Sequence, residues 1–340
     1  MNIPPGFEGN TGNKVCKLKK ALYGLKQSPR AWFGRFSKVM KEFGYKQSQG
    51  DHTLFIKHLV ARGVIALLVY VDDIIVIVND ERKKHEVKQR LTTEFEIKEL
   101  GKLKYFLGIE VAYSTQRIFI SQQKYVIDLL AKTGKIGCKP VSTPMDPNHK
   151  VGEAKEELVV DKRMYQRLVG GLIYLAHTRP DIAYSGATLL ERQPEKGILF
   201  KKNNTLALEA YTDADYAGSL VDRRSTTRYY TFLGGNLVTW RSKKQNVVAK
   251  SSAESEFRVI AQGLCELLWL KIILDDLRIK TKHIEIDRHF IKEKLEEGVV
   301  CMSYVPSEHQ LADILTKRLN SSMFHNLVFK LGMEDIYSSA

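Results

Sequence analysis

The sequence predicts an α/β protein built from two larger units, and three observations support this fold class. The chain has 340 residues, which at about 150 residues per domain is enough for two domains. In the first half, two continuously apolar, β-prone runs are separated by only two acidic residues. In the second half, three short strand-like runs are followed by one long run with helical spacing of its apolar residues.

The composition is typical of a folded protein outside membranes. Hydrophobic residues make up 44% of the chain and charged residues 27%, whereas 23 Gly and 9 Pro are ordinary numbers. The longest apolar run, Gly63 to Val71, is far shorter than the ~20 residues that span a bilayer. The first residues, Met1 to Gly9, do not have the pattern of a secretory signal. We therefore expect a soluble chain with no membrane partner.

The excess of positive charge is compatible with nucleic acid as a partner but does not establish it. Lys and Arg number 53 against 39 Asp and Glu, a formal net charge of +14. Such an excess favours binding to nucleic acid, although it serves solubility equally well. The four cysteines are far apart and lack zinc-site spacing, so they predict a reduced, intracellular chain, either cytoplasmic or nuclear: Cys16, Cys138, Cys265 and Cys301.

The first acidic motif lies between the two apolar runs. Val64–Val71 and Ile74–Val78 are apolar on both faces, which is typical of strands in the centre of a covered sheet. Only Asp72 and Asp73 separate them, so we predict a tight hairpin. Carboxylates at the mouth of an apolar sheet need compensation, and Mg²⁺ prefers oxygen ligands of this kind. A simple turn, where Asp is common, is the alternative.

The region that follows is predicted to connect the two units. Lys132–Asn148 carries three prolines and is expected to be a linker, Asp161–Ala176 to be a short helix, and Glu191–Asn204 to be polar and turn-like. The predicted segments are therefore 1–131, 132–204 and 205–340.

The second acidic motif begins the last segment. Glu209–Asp215 is predicted to be a strand that ends in two aspartates, and Tyr229–Leu233 and Leu237–Trp240 are predicted to form a hairpin through Gly234–Asn236. Basic residues next to Trp240 are suited either to an RNA–DNA hybrid or simply to solvent: Arg241, Lys243 and Lys244.

A long helix follows the hairpin. Ser252 is a plausible N-cap, and apolar residues recur at helical spacing from Phe257 to Leu277, a stripe that we interpret as packing. Glu254 falls in the first turn of this helix. It is either a solvated first-turn acid or part of a functional group of carboxylates.

Several segments together resemble copia-type retrotransposon polymerases. Lys17–Trp32 resembles, almost letter for letter, the segment upstream of the Tyr-x-Asp-Asp box of those polymerases, and Tyr70–Asp73 resembles the box itself. Leu103–Val111 resembles the stretch that holds the primer grip. The resemblance implies a reverse-transcriptase palm, in which Asp72 and Asp73 are catalytic ligands of Mg²⁺.

The resemblance also implies roles for residues outside the box. Tyr23, Gly24 and Gln27 would lie near the incoming dNTP, although a turn leading into a helix would explain Tyr23 and Gly24 as well. The primer-grip residues would be Leu107, Gly108 and Ile109. The family uses a further aspartate on a strand upstream of the segment that Pro4–Glu8 resembles, so we expect this site to have two of its three carboxylates.

The last segment resembles the ribonuclease H of the same elements. Asp213, Glu254 and Asp313 match three of the four acids that bind two Mg²⁺ ions in that family. The third acid lies on a strand after the long helix, and no matching segment is found here. Arg228 stands where the family usually has Gly, so a positive φ there would strain the turn.

The resemblance covers nearly the whole chain and implies the C-terminal part of a copia-type Pol polyprotein. The expected fold is a partial reverse-transcriptase palm followed by a ribonuclease H-like mixed sheet with helices. The expected function is RNA-directed DNA polymerase and hybrid ribonuclease, with two-metal Mg²⁺ chemistry impaired because each site lacks one carboxylate. Expected partners are RNA, DNA, RNA–DNA hybrids, dNTPs and other Pol-derived chains. The alternatives are a nucleic-acid-binding remnant without turnover and a product that folds poorly.

Overall fold

The computed structural model describes most of the chain and divides it into two compact units. The described residues are 24–60, 63–71, 73–134, 161–182, 196–203, 206–219, 221–279, 305–306, 309–315 and 319–335. The N-terminal unit is Met1–Glu99 and the C-terminal unit is Leu100–Ala340. No helix among these residues has both the length and the apolar character needed to cross a membrane.

In its described residues, the N-terminal unit has one antiparallel sheet and two helices. Its elements in chain order are α1 (Ser28–Glu42), β1 (Lys46–Gln47), β2 (Leu54–His58), β3 (Val64–Tyr70), β4 (Asp73–Val78) and α2 (Glu81–Glu94). The strands lie in the order β1-β2-β3-β4. Phe36 of α1, Phe55 of β2 and Leu67 of β3 are fully buried in its core, which α2 joins through Val87 and Leu91.

The two predicted strands are both present in this sheet, but only one of them is largely buried. β3 has a neighbour on each side and is largely buried, as predicted. β4 lies at the edge of the described sheet, and Ile77 is 58% exposed there. The prediction that both runs lie in the centre of a covered sheet is therefore wrong for β4, because apolar sequence alone does not tell a central strand from an edge strand.

The described part of the C-terminal unit contains two antiparallel sheets. Its elements are β5 (Tyr105–Phe106), β6 (Ile109–Tyr113), β7 (Arg117–Ser121), α3 (Gln123–Thr133), α4 (Lys162–Leu175), the 3₁₀ helix Pro180–Ile182, β8 (Lys196–Lys201), β9 (Leu208–Asp215), β10 (Thr226–Leu233), β11 (Asn236–Lys244), α5 (Ser252–Asp276), the 3₁₀ helix Leu311–Leu315, α6 (Ser321–Lys330) and β12 (Met333–Asp335). One sheet has the order β12-β8-β7-β6-β5 and the other β11-β10-β9.

An apolar core joins part of these elements. It contains residues of α3, β8, β10, the 3₁₀ helix Leu311–Leu315 and α6, among them Val126, Ile198, Tyr230, Leu315 and Phe324. A second cluster packs α5 against β9 through Leu208, Leu264 and Leu267. The sheet β11-β10-β9 is therefore covered by α5 on one face and by the 3₁₀ helix and its neighbours on the other.

Two predicted elements of this unit are confirmed with small changes at their ends. Gly234 (φ 56°) and Gly235 (φ 74°) form the turn of the β10–β11 hairpin, so Asn236 belongs to the strand rather than to the turn. The long helix is capped by Ser251, not by Ser252, because the Ser251 hydroxyl accepts a hydrogen bond from the Glu254 amide at 3.1 Å.

The prediction of a polar, turn-like segment over Glu191–Asn204 is wrong for its second half. Lys196–Lys201 forms β8, which pairs with β7 on one side and with β12 on the other. Three apolar residues are too few to reveal a strand, and the pairing partners are distant in sequence. Because β7 pairs with β8, β5 to β7 and α3 belong to the C-terminal unit, so the structure groups residues differently from the predicted segments 1–131, 132–204 and 205–340.

Candidate functional site

The β3–β4 hairpin presents the first acidic motif at its tip. Tyr70 pairs with Asp73, which is the first residue of β4, so each strand boundary is one residue away from its predicted place. Tyr70 is 50% exposed and Asp73 is exposed, whereas Val69 is buried. Val71 has φ 50°, an unfavourable conformation for a β-branched residue. Asp72 lies outside the described residues.

The predicted nucleotide-site residues are only partly described. Gly24 has φ 85° and precedes α1, and the Gln27 carbonyl accepts the Ala31 amide at 3.1 Å in the first turn of that helix. The positive φ explains why glycine suits this turn. Tyr23 lies outside the described residues. The helix start agrees with the turn alternative, and a role in binding dNTP stays a prediction.

The predicted primer-grip residues form the β5–β6 turn of the C-terminal unit. Leu107 (φ 47°) and Gly108 (φ 76°) are its two turn residues, and Ile109 begins β6. The Tyr174 hydroxyl of α4 donates a hydrogen bond to the Leu107 carbonyl. The turn is thus held against α4, and its contact with a primer stays a prediction.

Asp213 lies on β9 opposite an arginine. It pairs with Arg228 of β10, and the Arg228 Nη1 lies 3.7 Å from the Asp213 Oδ2. The Arg228 Nη2 lies 3.1 Å from the Oδ2 of Asp215, whose other oxygen accepts from the Thr226 amide. Arg228 sits within β10 without a positive φ, so the condition under which strain was expected at this residue is not met.

Glu254 is held by the segment just before α5 and by the first turns of that helix. Its Oε2 accepts the Lys250 amide at 2.6 Å, and its Oε1 lies 2.7 Å from the Arg258 Nη2. These two donors, the Lys250 amide first, lower the pKa of Glu254 below its ordinary value. Glu254 is therefore ionised at neutral pH and already has partners.

Asp313 is the most buried of the three carboxylates. It lies in the 3₁₀ helix Leu311–Leu315 and is 2% exposed. The preceding Gln310 donates from Nε2 to the Thr212 carbonyl at 3.3 Å, which ties this helix to β9 beside Asp213. The elements that carry Asp213 and Asp313 are thus in contact. Within the described ranges, however, no group of three or more His, Cys, Asp or Glu side chains is arranged to hold a metal ion.

A basic groove runs between β11 and α5 on the C-terminal unit. Its volume is about 420 Å³, and its lining includes Arg241, Lys243, Lys244 and Arg258 together with the acid Glu266. The Tyr229 hydroxyl donates to the Glu266 Oε2 at 3.0 Å, and burial together with this neighbour raises the pKa of Tyr229 to about 12.

Sequence reasoning found part of this groove. It proposed Arg241, Lys243 and Lys244 from their clustering next to Trp240, but it missed Arg258, which lies on α5 and has no nearby basic residues to mark it. It also assigned no partner to Arg228, because the pairing with Asp213 depends on the register of β9 and β10.

Comparison with known proteins identifies the family. The family model described as reverse transcriptase (RNA-dependent DNA polymerase) matches residues 1–147. The putative transposon Ty5-1 protein of Saccharomyces cerevisiae is 31% identical over 78% of this chain and 94% of its own length. This chain belongs to the reverse-transcriptase family of copia-type retrotransposon Pol proteins.

Longer relatives cover nearly all of the chain. The retrovirus-related Pol polyprotein from transposon RE1 of Arabidopsis thaliana is 37% identical over 98% of this chain. That from transposon TNT 1-94 of Nicotiana tabacum is 29% identical over the same share. The chain spans 26% of the first polyprotein and 29% of the second, about a quarter of their length. No solved structure matches the chain.

Proposed function

We propose that the chain is a polymerase and ribonuclease H segment of a retrotransposon Pol protein, with impaired Mg²⁺-dependent phosphoryl transfer. The observation that carries the proposal is the β3–β4 hairpin, because it presents the Tyr70–Asp73 motif at an exposed tip directly beside the buried strand β3. Carboxylate oxygens suit Mg²⁺, so Asp72 and Asp73 would hold it there. The ions would supply charge stabilisation for transfer to a primer end.

The C-terminal unit supports the ribonuclease H part of the proposal. The antiparallel sheet β11-β10-β9 carries Asp213, α5 carries Glu254 in its first turn, and the 3₁₀ helix that carries Asp313 touches β9. The match to the RE1 polyprotein extends over 381 residues, whereas this chain has 340. Within the matched region, the relative therefore contains segments that have no counterpart in this chain. Such a loss is consistent with the unmatched third acid. RNA–DNA hybrid would be the substrate.

Primer extension tests the polymerase part. The full chain is incubated with a DNA primer on an RNA template, dNTPs and Mg²⁺. We expect slow extension, which Asp73→Asn lowers by a further factor of about 10²–10³, because a group that stabilises transition-state charge is removed. Glu96→Gln, an exposed acid of the same unit, is the matched control and should leave the rate unchanged. Extension that is equally fast with Asp73→Asn would contradict the proposal.

A second candidate function is nucleic-acid binding without turnover, and the basic groove favours it. Arg241 and Lys243 are exposed on β11, and Tyr229 and Arg258 complete the same groove. Cations that line one groove can follow a phosphate backbone, which supplies most of the affinity in sequence-independent binding. The formal net charge of the whole chain, +14, is also positive and so favours binding to a polyanion.

Salt-dependent binding of an RNA–DNA hybrid tests this second function. Replacing both Arg241 and Lys243 with glutamine should weaken binding about tenfold and reduce the salt slope by about 2, because each cation that neutralises one phosphate adds about 1 to that slope. Replacing both Lys124 and Lys132 with glutamine, two exposed cations on α3 outside the groove, is the matched control and should have a much smaller effect. Equal losses of affinity in the control and the groove variant would mean that net charge, and not the groove, binds the hybrid.

A further inference from the structure

Arg228 is a fully buried arginine in the middle of a strand. It is 0% exposed, and its guanidinium reaches both Asp213 and Asp215. The strand register explains this contact. Arg228 and Asp213 are direct partners in the antiparallel pair β9–β10, so their side chains leave the sheet on the same face. Asp215 lies two residues further along β9 on that face, within reach of a long side chain.

The charges in this cluster depend on one another. Arginine stays protonated at any ordinary pH, and a buried guanidinium is costly unless anions accompany it. Asp213 and Asp215 supply those anions, and Arg228 in turn compensates two carboxylates that are themselves only 20% and 31% exposed. The cluster is therefore compensated by side chains of the protein itself.

This arrangement does not fit the dications that the family resemblance implies. A divalent ion on the Asp213 carboxylate would lie within a few ångströms of the guanidinium, and like charges at that separation repel strongly where water is largely excluded. Glu254, the second expected ligand, accepts hydrogen bonds from Lys250 and Arg258. The described residues also contain no group of three side chains arranged to hold a metal.

We infer that Arg228 supplies the positive charge at Asp213 and Asp215 in place of a divalent ion, so the C-terminal unit keeps its acidic cluster closed to Mg²⁺ and Mn²⁺. This inference rests on the ribonuclease H part of the proposed function, because only that assignment leads one to expect ions at Asp213. It also gives a cause for impaired hybrid cleavage that does not depend on the unmatched third acid.

Binding of Mn²⁺, followed by its electron paramagnetic resonance signal, tests the inference on the full chain. All variants carry Asp72→Asn and Asp73→Asn, so that the hairpin does not contribute. With Arg228 in place, we expect no Mn²⁺ binding that depends on Asp213. Arg228→Met removes the charge at similar length and should tighten Mn²⁺ binding about tenfold or more, as relief of like-charge repulsion requires. Arg228→Lys keeps the charge and should behave like the parent chain.

Two further comparisons make the result decisive. Adding Asp213→Asn to Arg228→Met should remove the gained Mn²⁺ binding. If Arg228→Met does not fold, Asp213→Asn alone still tests the inference: it should leave Mn²⁺ binding of the parent chain unchanged. Parent-chain binding that disappears with Asp213→Asn overturns the inference, as does an Arg228→Met variant that folds and gains no Mn²⁺.

Hybrid cleavage separates this inference from the function on which it rests. If Arg228→Met gains Mn²⁺ at Asp213 but no cleavage of an RNA–DNA hybrid, the inference stands and the ribonuclease H proposal fails. If the parent chain binds Mn²⁺ through Asp213 and cleaves the hybrid, the inference fails and the proposed function stands.

Discussion

Replacing Arg179 with methionine is expected to lower the free energy of unfolding of the C-terminal unit by about 3–5 kcal/mol, because it leaves a buried charge without its partner. Arg179 and Asp181 are each 2% exposed and form a two-pronged ion pair, with Nε–Oδ1 at 2.9 Å and Nη2–Oδ2 at 2.8 Å. The methionine variant keeps the apolar volume of the arginine stem but leaves the Asp181 carboxylate without its ion-pair partner.

The double variant is the matched control for this prediction. Arg179→Met with Asp181→Leu removes both charges, and since apolar replacement of a buried ion pair is often neutral or stabilising, it should recover most of the loss. Urea unfolding followed by tryptophan fluorescence measures both variants. A Trp32→Phe background restricts the signal to Trp240 and Trp269, which belong to the C-terminal unit. A loss below about 1 kcal/mol in the single variant would show that Asp181 is compensated from elsewhere.

The location of this ion pair explains why it should act on the whole unit. It begins the 3₁₀ helix Pro180–Ile182, which contacts the 3₁₀ helix Leu311–Leu315, while the Trp240 indole of β11 donates to the Ala176 carbonyl at 2.7 Å. Burial and, to a smaller extent, the charge of Asp181 raise the pKa of Tyr230, a core residue of β10. The segment after α4 is therefore attached to the sheet that carries Asp213.

The fold was predictable where local chemistry determines it. Gly234 and Gly235 supply the two positive φ angles of the β10–β11 turn, and the apolar stripe of α5 follows the helical period, so both elements were predicted from sequence. β8 was not, because its identity depends on pairing with β7 and β12, which lie far from it in the chain. The edge location of β4 is likewise a property of the sheet and not of the strand.

The candidate site shows the same division. The acidic site residues could be identified from short motifs that resemble those of the family. Arg228, the partner of Asp213, could not, because that contact depends on the register of two strands. A shift of one residue between β9 and β10 would turn Arg228 to the opposite face, towards α5. At the hairpin, Tyr70 pairs with Asp73, so the turn lies one residue earlier than predicted. This difference also depends on the register of two strands, which the sequence does not give.

Substitution of Gly197 is expected to have the second large effect on the free energy of unfolding. It lies in β8 between β7 and β12, where an added Cβ would be 2.2 Å from the Ile120 carbonyl oxygen and 2.6 Å from the Phe119 ring. Backbone in a paired strand cannot move aside without breaking ladder hydrogen bonds. Gly197→Ala is therefore expected to lower the free energy of unfolding of the C-terminal unit by about 3 kcal/mol, the upper end of the usual cost of overpacking.

Gly170→Ala is the matched control for this substitution. Gly170 lies in the interior of α4, and its added Cβ would meet no atom within 4 Å, so alanine should stabilise the helix by about 1 kcal/mol. The same urea titration measures both variants, which differ by one methyl group each but should change stability in opposite directions. If both alanines changed stability by the same amount, β8 would not be the tightly packed inner strand that joins β7 to β12. The assignment of β5 to β7 to the C-terminal unit would then lose its main support, because the β7–β8 pairing is what connects them to it.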